Sequence, residues 1–389
     1  MYSLLLAIIY VSFISLGLPD SLLGSAWPIM FGELSVPVSY AGVISMIISV
    51  GTIISSLFSD KLTRKLGTGL VTAISVALTG GALLGFALSR SFVVLCILAI
   101  PYGLGAGAVD AALNNYVALH YTSRHMSWLH CFWGVGASVG PYIMGFAISA
   151  GHGWRVGYGI VSVIQLVLTA FLFISLPLWK KRVSSAAPDE DGYEAPITLR
   201  EAVGIKGVKS VLLAFFAYCA FESSAGLWAS TYLVEHRGID VNTAAAFASF
   251  FYLGITLGRF LSGFVANRLG DKALIRIGVM GMLAGVIMII LPVSADFFAL
   301  AGLIVAGVGA APVYPSVIHS TPEHFGKENS HAIVGIQMAS AYTGTTLIPP
   351  LLGVILDGVG AWIYPFFLLT FVGLILVLTE TVNRAVKSK

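Results

Sequence analysis

The chain has 389 residues, of which 57% are hydrophobic and only 10% are charged, and its mean hydropathy is +0.92. Because soluble domains carry about a quarter charged residues, this composition excludes a soluble globular protein and indicates a polytopic helical membrane protein. The net charge of +3 gives no indication of a nucleic-acid partner. The apolar composition predicts that the chain lies in a lipid bilayer.

Twelve apolar segments follow one another along the chain, each of about 20 residues, the length that crosses hydrocarbon. They lack strand-type alternation, which excludes a porin-like barrel. A polar stretch from Lys180 to Ser210 separates six segments from six. The sequence therefore predicts an all-α fold with two six-helix bundles, residues 1–179 and 210–389, joined by a cytoplasmic linker at 180–209. The spans are expected at 4–30, 39–59, 69–88, 92–120, 127–150, 155–178, 210–234, 242–266, 272–292, 296–319, 330–356 and 360–382.

The distribution of Lys and Arg predicts the orientation. With a cytoplasmic N-terminus, 17 of the 21 basic residues fall in inner loops and the C-terminal tail, 3 fall in outer loops, and Arg259 lies in a span. Because inner loops are enriched in Lys and Arg, both termini are expected in the cytoplasm. The first segment has no basic start and no small-residue cleavage site, so we expect a first span and not a signal peptide. The short loops are typical of a bacterial inner-membrane protein.

The first span carries a carboxylate, Asp20, in the stretch GLPDSLLGSAW. An acid at the membrane centre costs on the order of 3 kcal/mol unless it is protonated, paired or wet. We therefore expect Asp20 to face a cavity and to accept a proton or a solute hydroxyl group. The alternative is that Asp20 caps a broken helix, because Pro19 removes a backbone donor.

The fourth span carries Asp110 together with Gly103, Gly107 and Asn114 on one helical face. This face is small and polar while the rest of the helix is apolar, so it is expected to point at a cavity or at another helix. In the second case Gly103 and Gly107 form a packing seam. Asp20 and Asp110 are the candidates for proton coupling.

Other polar residues inside the spans are candidates for binding a solute. Glu222 in the seventh span is the counterpart of Asp20 in the repeat. It is expected either to bind the solute or couple ions, or to form a salt bridge or hydrogen bond between the halves. Arg259 is interpreted as a structural inner-side partner for an acid. His130 has no Lys or Arg beside it in the sequence, so its charge can switch near neutral pH, unless it is a hydrogen-bonded structural residue. Further candidates are Asn114, Asn115, Gln165, Gln337 and His319.

The two halves of the chain repeat each other in order. SSLFSDKLTRKLG after the second span resembles SGFVANRLGDKAL after the eighth, and GLPDSLLGSAW in the first resembles AFESSAGLWAS in the seventh. GLGAGAVD in the fourth span resembles AGVGAAPVY in the tenth, and Gly136 and Pro141 match Gly344 and Pro349. This order predicts a six-helix repeat, which is typical of alternating access around a central site.

Across essentially the whole chain, these features resemble the major facilitator superfamily. The family's loop after the second span reads G-x-x-x-D-[RK]-x-G-[RK]-[RK], and the first copy here keeps the acid and the bases, with Ser56 and Thr63 in place of the glycines. The second copy has Asn267 where an acid is usual. We interpret both copies as gating latches between helix ends, with plain positive-inside topology as the alternative. The latch residues are Asp60, Lys61, Arg64, Asn267, Arg268 and Asp271.

Three stretches are similar to the fucose–proton symporter family and its glucose-transporting relatives. They are the first span around Asp20, VDAALNNY with Asp110 and Asn114, and WLHCFWGVGASVGP in the fifth span. The family often has Glu in place of Asp110 and Pro in place of Asn115. The resemblance implies proton-coupled symport of a neutral sugar. The aromatic candidates for stacking on a sugar ring, or alternatively for anchoring at the membrane interface, are Trp27, Trp133, Trp228 and Tyr314.

Two other functional classes compete with a sugar symporter. GASVGPYIMG partly fits the G-x-x-x-G-P-x-x-G-G stretch of proton-driven exporters of drugs or metabolites, with Met144 in place of a glycine. A scaffold or receptor is the third class, and the buried acids argue against it. The sequence has no nucleotide-binding loop, hydrolase elbow or metal cluster, so we expect no enzyme, cofactor or metal. The expected partners are a sugar, protons and lipid, and the expected state is a monomer.

Overall fold

The computed structural model describes residues 2–20, 22–37, 40–185, 197–291 and 295–387. Over these residues the chain is helical apart from short connections, because a backbone inside hydrocarbon has to satisfy its own hydrogen bonds. The helices in chain order are α1 (Tyr2–Gly17), α2 (Leu22–Glu33), α3 (Ala41–Leu66), α4 (Thr68–Leu88), α5 (Phe92–His120), α6 (Ser123–Ser149), α7 (Trp154–Ser185), α8 (Leu199–Gly204), α9 (Val208–Glu235), α10 (Val241–Leu269), α11 (Asp271–Ile290), α12 (Phe297–Ala310), α13 (Val313–His319), α14 (Thr321–Phe325), α15 (Lys327–Val359) and α16 (Tyr364–Lys387).

Twelve stretches of the described chain are long and apolar enough to cross a membrane, which confirms the predicted number of spans. The first span joins α1 to α2, and the tenth joins α12 to α13. Most observed ends lie within a few residues of the predicted ones, because the hydrophobic length of a segment determines how much of it can span. Among the spans, the largest departure is the second, which follows α3 to Leu66, beyond the predicted end at 59. The latch residues Asp60, Lys61 and Arg64 are therefore helical.

The first span is interrupted at Asp20. Between α1 and α2, the Asp20 N–H donates to the Gly17 carbonyl at 3.2 Å, and the Leu22 N–H donates to the Pro19 carbonyl at 3.1 Å. Both bonds span three residues and form a tight turn in which the Asp20 side chain is exposed. The broken helix expected from Pro19 is therefore present.

Gly67 and Gly270 form the turns that follow the two latch copies. Gly67 connects α3 to α4 with φ 79°, and Gly270 connects α10 to α11 with φ 75°. Glycine adopts positive φ without the steric penalty that a Cβ atom brings. The two halves thus turn with the same backbone conformation, in agreement with the repeat in the sequence.

Residues 186–196 of the predicted linker lie outside the described residues. The remainder includes a short helix, α8, that composition did not predict. Thr198 caps it, because its hydroxyl oxygen accepts from the Glu201 N–H at 3.2 Å and its own N–H donates to the Glu201 carboxylate at 2.6 Å. The hydrogen bond from this backbone N–H lowers the pKa of the Glu201 carboxyl.

The chain folds into two compact units. The first comprises Met1–Tyr116 and Phe132–Ile197, and the second comprises Val117–Cys131 and Thr198–Lys389. The end of α5 and the start of α6 therefore pack with the C-terminal helices. The bundle boundaries at 179 and 210 remain a prediction about the sequence repeat.

Within the first unit, α3 packs along α5 through hydroxyl groups. Thr52 and Ser56 on α3 donate to the Gly103 and Gly107 carbonyls, each at 3.2 Å. Small residues and interhelical hydrogen bonds hold helices together where lipid supplies no hydrophobic driving force. This seam fixes the face of α5 that carries Asp110.

Within the second unit, α9 packs against α15 and α16, and α11 packs along α12. Buried tyrosines connect these helices. The Tyr364 hydroxyl donates to the Ala225 carbonyl at 2.7 Å, and the Tyr218 hydroxyl donates to the Ala310 carbonyl at 2.9 Å. Tyr218 lies one turn before Glu222 on α9, so this packing positions one of the candidate acids.

Candidate functional site

Asp20 accepts a hydrogen bond from Trp133. The Trp133 Nε1–H on α6 donates to Asp20 Oδ2 at 2.9 Å. The indole is a neutral donor, so it holds the carboxylate without placing a fixed positive charge beside it. Two candidate residues from distant parts of the sequence thus meet in one contact.

This contact depends on a close approach of α6 to α1. A Cβ atom at Gly136 would collide with the Ile14 carbonyl, and one at Gly140 would collide with the Leu18 carbonyl. A side chain at either position would push the two helices apart. The glycines of WLHCFWGVGASVGP therefore place Trp133 against the turn that carries Asp20.

Gly344 makes the equivalent approach in the second unit. A Cβ atom there would lie 2.6 Å from the Phe216 carbonyl of α9. Glu222 follows Phe216 by six residues, and Asp20 follows Ile14 by six. The packing of the two units thus reproduces the correspondence between Asp20 and Glu222 that the sequence indicated.

Asp110 is buried on α5 beside Asn114. The Asn114 Nδ2 donates to Asp110 Oδ1 at 2.8 Å and to the Asp110 backbone carbonyl at 3.0 Å. This donor is also neutral. Gly103 and Gly107 on the same face pack against α3, so the packing seam that we considered for this face is observed.

Asn115 follows on the same helix with only 1% of its surface exposed. Neither its Nδ2 nor its Oδ1 has a hydrogen-bond partner among the described residues. A buried polar group without a partner costs about 1–3 kcal/mol. This amide is therefore available to a polar ligand or to water.

A small cavity adjoins the Asp20 turn in the first unit and is lined by apolar residues such as Pro19 together with Ser15, Tyr102 and Gln165. The Gln165 Nε2 donates to the Ser15 carbonyl at 2.7 Å. The Gln165 Oε1 and the Ser15 Oγ have no partner among the described residues. The size of the cavity and these two oxygens suit a water molecule.

Glu222 pairs with Arg259. The Arg259 Nη2 on α10 lies 3.2 Å from Glu222 Oε2 and 3.4 Å from Glu222 Oε1 on α9. The Arg259 side chain is 4% exposed and the Glu222 side chain is 16% exposed. The sequence predicted an acidic partner for Arg259 without identifying it. The structure shows that this partner is Glu222 and that both residues lie in the second unit.

Tyr314 and His130 extend this pair into a cluster. The Arg259 guanidinium carbon lies 5.7 Å from the centre of the Tyr314 ring, and the Tyr314 and His130 ring centres are 4.6 Å apart. Tyr218 interacts with the Arg259 guanidinium from α9. The Arg259 cation therefore lies near His130, although no Lys or Arg stands beside His130 in the sequence.

Three other predicted binding residues lie apart from these contacts. Trp27 is buried in the apolar core of the first unit. The Trp228 Nε1–H donates to the Pro349 carbonyl at 2.9 Å. Gln337 is buried, and its Oε1 accepts from the Thr321 hydroxyl at 3.0 Å. Because these contacts hold helices together, we leave the three residues out of the proposed site.

The first latch copy pairs within one helix. Arg64 Nε lies 2.7 Å from Asp60 Oδ1, one turn apart on α3. The Lys61 ammonium lies 5.7 Å from the centre of the Phe58 ring. In the second copy, Arg268 is exposed.

The second latch copy holds the start of α6. Asp271 Oδ1 accepts from the Ser123 hydroxyl at 2.5 Å, and Asn267 Oδ1 accepts from the Arg124 N–H at 3.3 Å. The contact of Asn267 with α6 does not require an acid at this position, because an amide oxygen also accepts from a backbone N–H.

His319 completes this latch. Its Nδ1 lies 2.6 Å from Asp271 Oδ2, and its Nε2 lies 3.0 Å from the Tyr121 carbonyl. A carbonyl oxygen only accepts, so Nε2 carries a hydrogen, and an ionised Asp271 requires a hydrogen on Nδ1 as well. The sequence placed His319 among the cavity candidates and missed this contact, because Asp271 is remote in the chain and no spacing connects the two.

Comparisons with known proteins agree with this fold. The profile of the Major Facilitator Superfamily matches residues 9–210 and again residues 210–386. The hexuronate transporter of Bacillus subtilis is 24% identical over 379 residues, which cover 90% of this chain and 87% of that protein. The glucose/mannose transporter GlcP of the same species is 23% identical over 272 residues, which cover 67% of this chain and 65% of that protein.

A solved structure has the same architecture. The crystal structure of the E. coli fucose:proton symporter FucP matches with a TM-score of 0.78 at 17% sequence identity, covering 98% of each chain. At this identity the match concerns the fold. The double match to one family profile agrees with the repeat seen in the sequence and in the packing of Gly136 and Gly344.

Proposed function

Because this chain belongs to the major facilitator superfamily, and is therefore a multi-pass membrane transporter, we propose that it couples the movement of a sugar to that of protons by alternating access. The sugar is supported by the stretches similar to sugar carriers and by the likeness to GlcP, to FucP and to the hexuronate transporter. We further propose an inner-membrane monomer with both termini in the cytoplasm.

The observation that carries the proposal is the setting of the two acids in the first unit. Asp20 accepts from an indole N–H and Asp110 accepts from an amide, and both acids lie within spans. A carboxylate that accepts a hydrogen bond from a neutral donor can gain and lose a proton. Proton uptake and release by these acids is the chemistry that a proton-coupled carrier needs.

We assign different roles to the two acids. Asp110 is buried and is the coupling residue. Asp20 is exposed in its turn and binds the solute, with Trp133 beside it. We also assign solute binding to Asn115, because its buried amide has no partner among the described residues. The two latch copies act in gating, and in the second copy the contacts of Asp271 and Asn267 hold the start of α6.

The proposal is tested by following protons in proteoliposomes loaded with a pH-sensitive dye. Without an imposed gradient, addition of D-glucose, D-mannose or L-fucose outside should acidify the lumen, because the sugar gradient draws protons inward. Asp110→Asn should abolish the signal, while Asp357→Asn, which changes an exposed acid, should leave it intact. If none of the three sugars moves protons, the proposal does not hold.

Proton-driven export is the second candidate, and the same assay separates it by direction. An antiporter would make the lumen alkaline on addition of its solute. Gly136 and Gly140, which carry the resemblance to exporters, are accounted for by the packing of α6 on α1. The glycine stretch therefore does not favour export over symport.

A further inference from the structure

The break in the first span removes the helical donor of one backbone carbonyl. In an α-helix, each carbonyl accepts from the N–H of the residue four positions later. The residue four positions after Ser15 is Pro19, which has no N–H. The preceding bond of the helix, from the Leu18 N–H to the Ile14 carbonyl at 3.0 Å, is still present. The Ser15 carbonyl is therefore the point at which α1 stops supplying its own donors.

Gln165 on α7 takes the place of this donor. Its Nε2 donates to the Ser15 carbonyl at 2.7 Å, although the two residues lie 150 positions apart in the chain. Both residues are buried, with 1% of Gln165 and 2% of Ser15 exposed. A backbone carbonyl inside a membrane has to find its partner within the protein, because no bulk water reaches it. The glutamine amide thus satisfies a group that Pro19 leaves to the surrounding helices.

The packing of α7 on α4 holds Gln165 in position. The Ser162 hydroxyl, about one turn before Gln165, donates to the Gly80 carbonyl of α4 at 2.8 Å. A Cβ atom at Gly80 would lie 3.2 Å from the Gln165 Cβ, so the glycine gives the glutamine side chain its room. Gln165 therefore reaches the first span from a backbone that is itself fixed.

Gln165 also borders the surroundings of Asp20. Because a carbonyl oxygen only accepts, the Nε2 end of the amide is the end that contacts Ser15. Gln165 and Ser15 line the small cavity beside the turn, and Tyr102 lines it as well. Tyr102 interacts electrostatically with Asp20. The amide thus lies against both the turn and a neighbour of the carboxylate that the turn carries.

The turn needs such support, because Asp20 stands where the regular helical bonds are interrupted. The first span is held there by two helices, by α6 through its close approach to Ile14 and Leu18, and by α7 through the Ser15 carbonyl. We propose that Gln165 is a positioning residue for Asp20, which supplies the donor that Pro19 removes and so keeps Asp20 beside Trp133. The inference rests on the proposed function, in which Asp20 binds the solute.

A double-mutant cycle in thermal unfolding tests the first part of the inference. Gln165→Leu removes the amide at similar size and should lower the unfolding temperature of the purified protein. Pro19→Ala returns a backbone N–H to the Ser15 carbonyl, so Gln165→Leu should lower the unfolding temperature much less in a Pro19→Ala background. An equal decrease in the two backgrounds would overturn the inference.

Ser162→Ala is the matched control, because it removes another buried hydrogen bond from α7 to a backbone carbonyl, and this bond goes to α4. It should lower the unfolding temperature equally with and without Pro19→Ala. Should Gln165→Leu alone fail to fold, the double variant with Pro19→Ala should recover the fold. A double variant that also fails to fold would contradict the inference.

The proteoliposome assay tests the effect on Asp20, with the sugar that moves protons in the wild type. If the turn of Gln165→Leu holds Asp20 in place for about a tenth of the time, the KM for the sugar rises about tenfold. The maximal rate should change little, because the coupling residue Asp110 is unaltered. Gln165→Asn should act in the same way, since its shorter amide does not reach the Ser15 carbonyl.

Ser162→Ala separates this effect from a general loss of stability and should keep the wild-type KM. Wild-type KM values in Gln165→Leu and Gln165→Asn would show that Gln165 only joins helices, and the positioning role would be refuted while sugar transport stands. If no sugar moves protons in the wild type, the proposed function is itself contradicted, and the role of Gln165 in solute binding falls with it.

Discussion

His319 bridges Asp271 and the Tyr121 carbonyl, at 2.6 and 3.0 Å. His319→Ala would remove both contacts and leave Ser123 as the one side-chain donor to the Asp271 carboxylate among the described residues. Because a hydrogen bond to a charged group contributes about 1.5–3 kcal/mol, we expect a loss of stability of this size. Thermal unfolding of the purified protein in detergent measures it.

The control for this prediction is His152→Ala, since His152 is exposed in the turn before α7. That variant should unfold at the wild-type temperature. A His319→Ala protein that is as stable as the His152→Ala protein would show that the contacts of His319 do not hold the start of α6 to the C-terminal helices.

The close approach of α6 to α1 depends on Gly136, because the residue has no Cβ atom. Gly136→Ala places a methyl group against the Ile14 carbonyl. We expect the two helices to separate at a cost of about 1–3 kcal/mol, the usual range for overpacking. The same shift should weaken sugar binding, because Trp133 would move away from Asp20. Thermal unfolding and calorimetry report the two effects.

Gly145→Ala is the matched control on the same helix, because a Cβ atom at Gly145 has open space around it. Alanine is also the better helix former, so Gly145→Ala should be neutral or slightly stabilising. If Gly136→Ala behaves like Gly145→Ala in both measurements, the close approach of α6 to α1 is not what positions Trp133.

The orientation of the whole molecule follows from its basic residues and is tested by labelling. In a variant without native cysteines, Ser185→Cys at the end of α7 should react with an impermeant maleimide only from the cytoplasmic side, because Lys and Arg concentrate around it. His152→Cys should react only from outside. Reaction of Ser185→Cys from the outside alone would reverse the proposed topology.

The spans could be predicted from the sequence because hydrophobic length is a local property. The helix break at Asp20 is also indicated locally, by Pro19. The contacts of the site could not be predicted in the same way. Glu222 and Arg259 lie 37 residues apart, and no local pattern indicates that they pair. His319 shows the same limit. Its residue type predicted a polar role, but only the packing of α13 beside α11 reveals that its partner is Asp271.

The coupling role of Asp110 is tested most directly by comparing uptake driven by a membrane potential with counterflow in Asp110→Asn. Proteoliposomes at equal pH on both sides, with an inside-negative potential, should let the wild type concentrate the sugar that moves protons in the dye assay. The proton on Asp110 supplies the net positive charge that responds to the potential. Asp110→Asn, which mimics the protonated acid, should lose this accumulation and keep counterflow exchange. An Asp110→Asn protein that still concentrates the sugar under the potential would contradict the account.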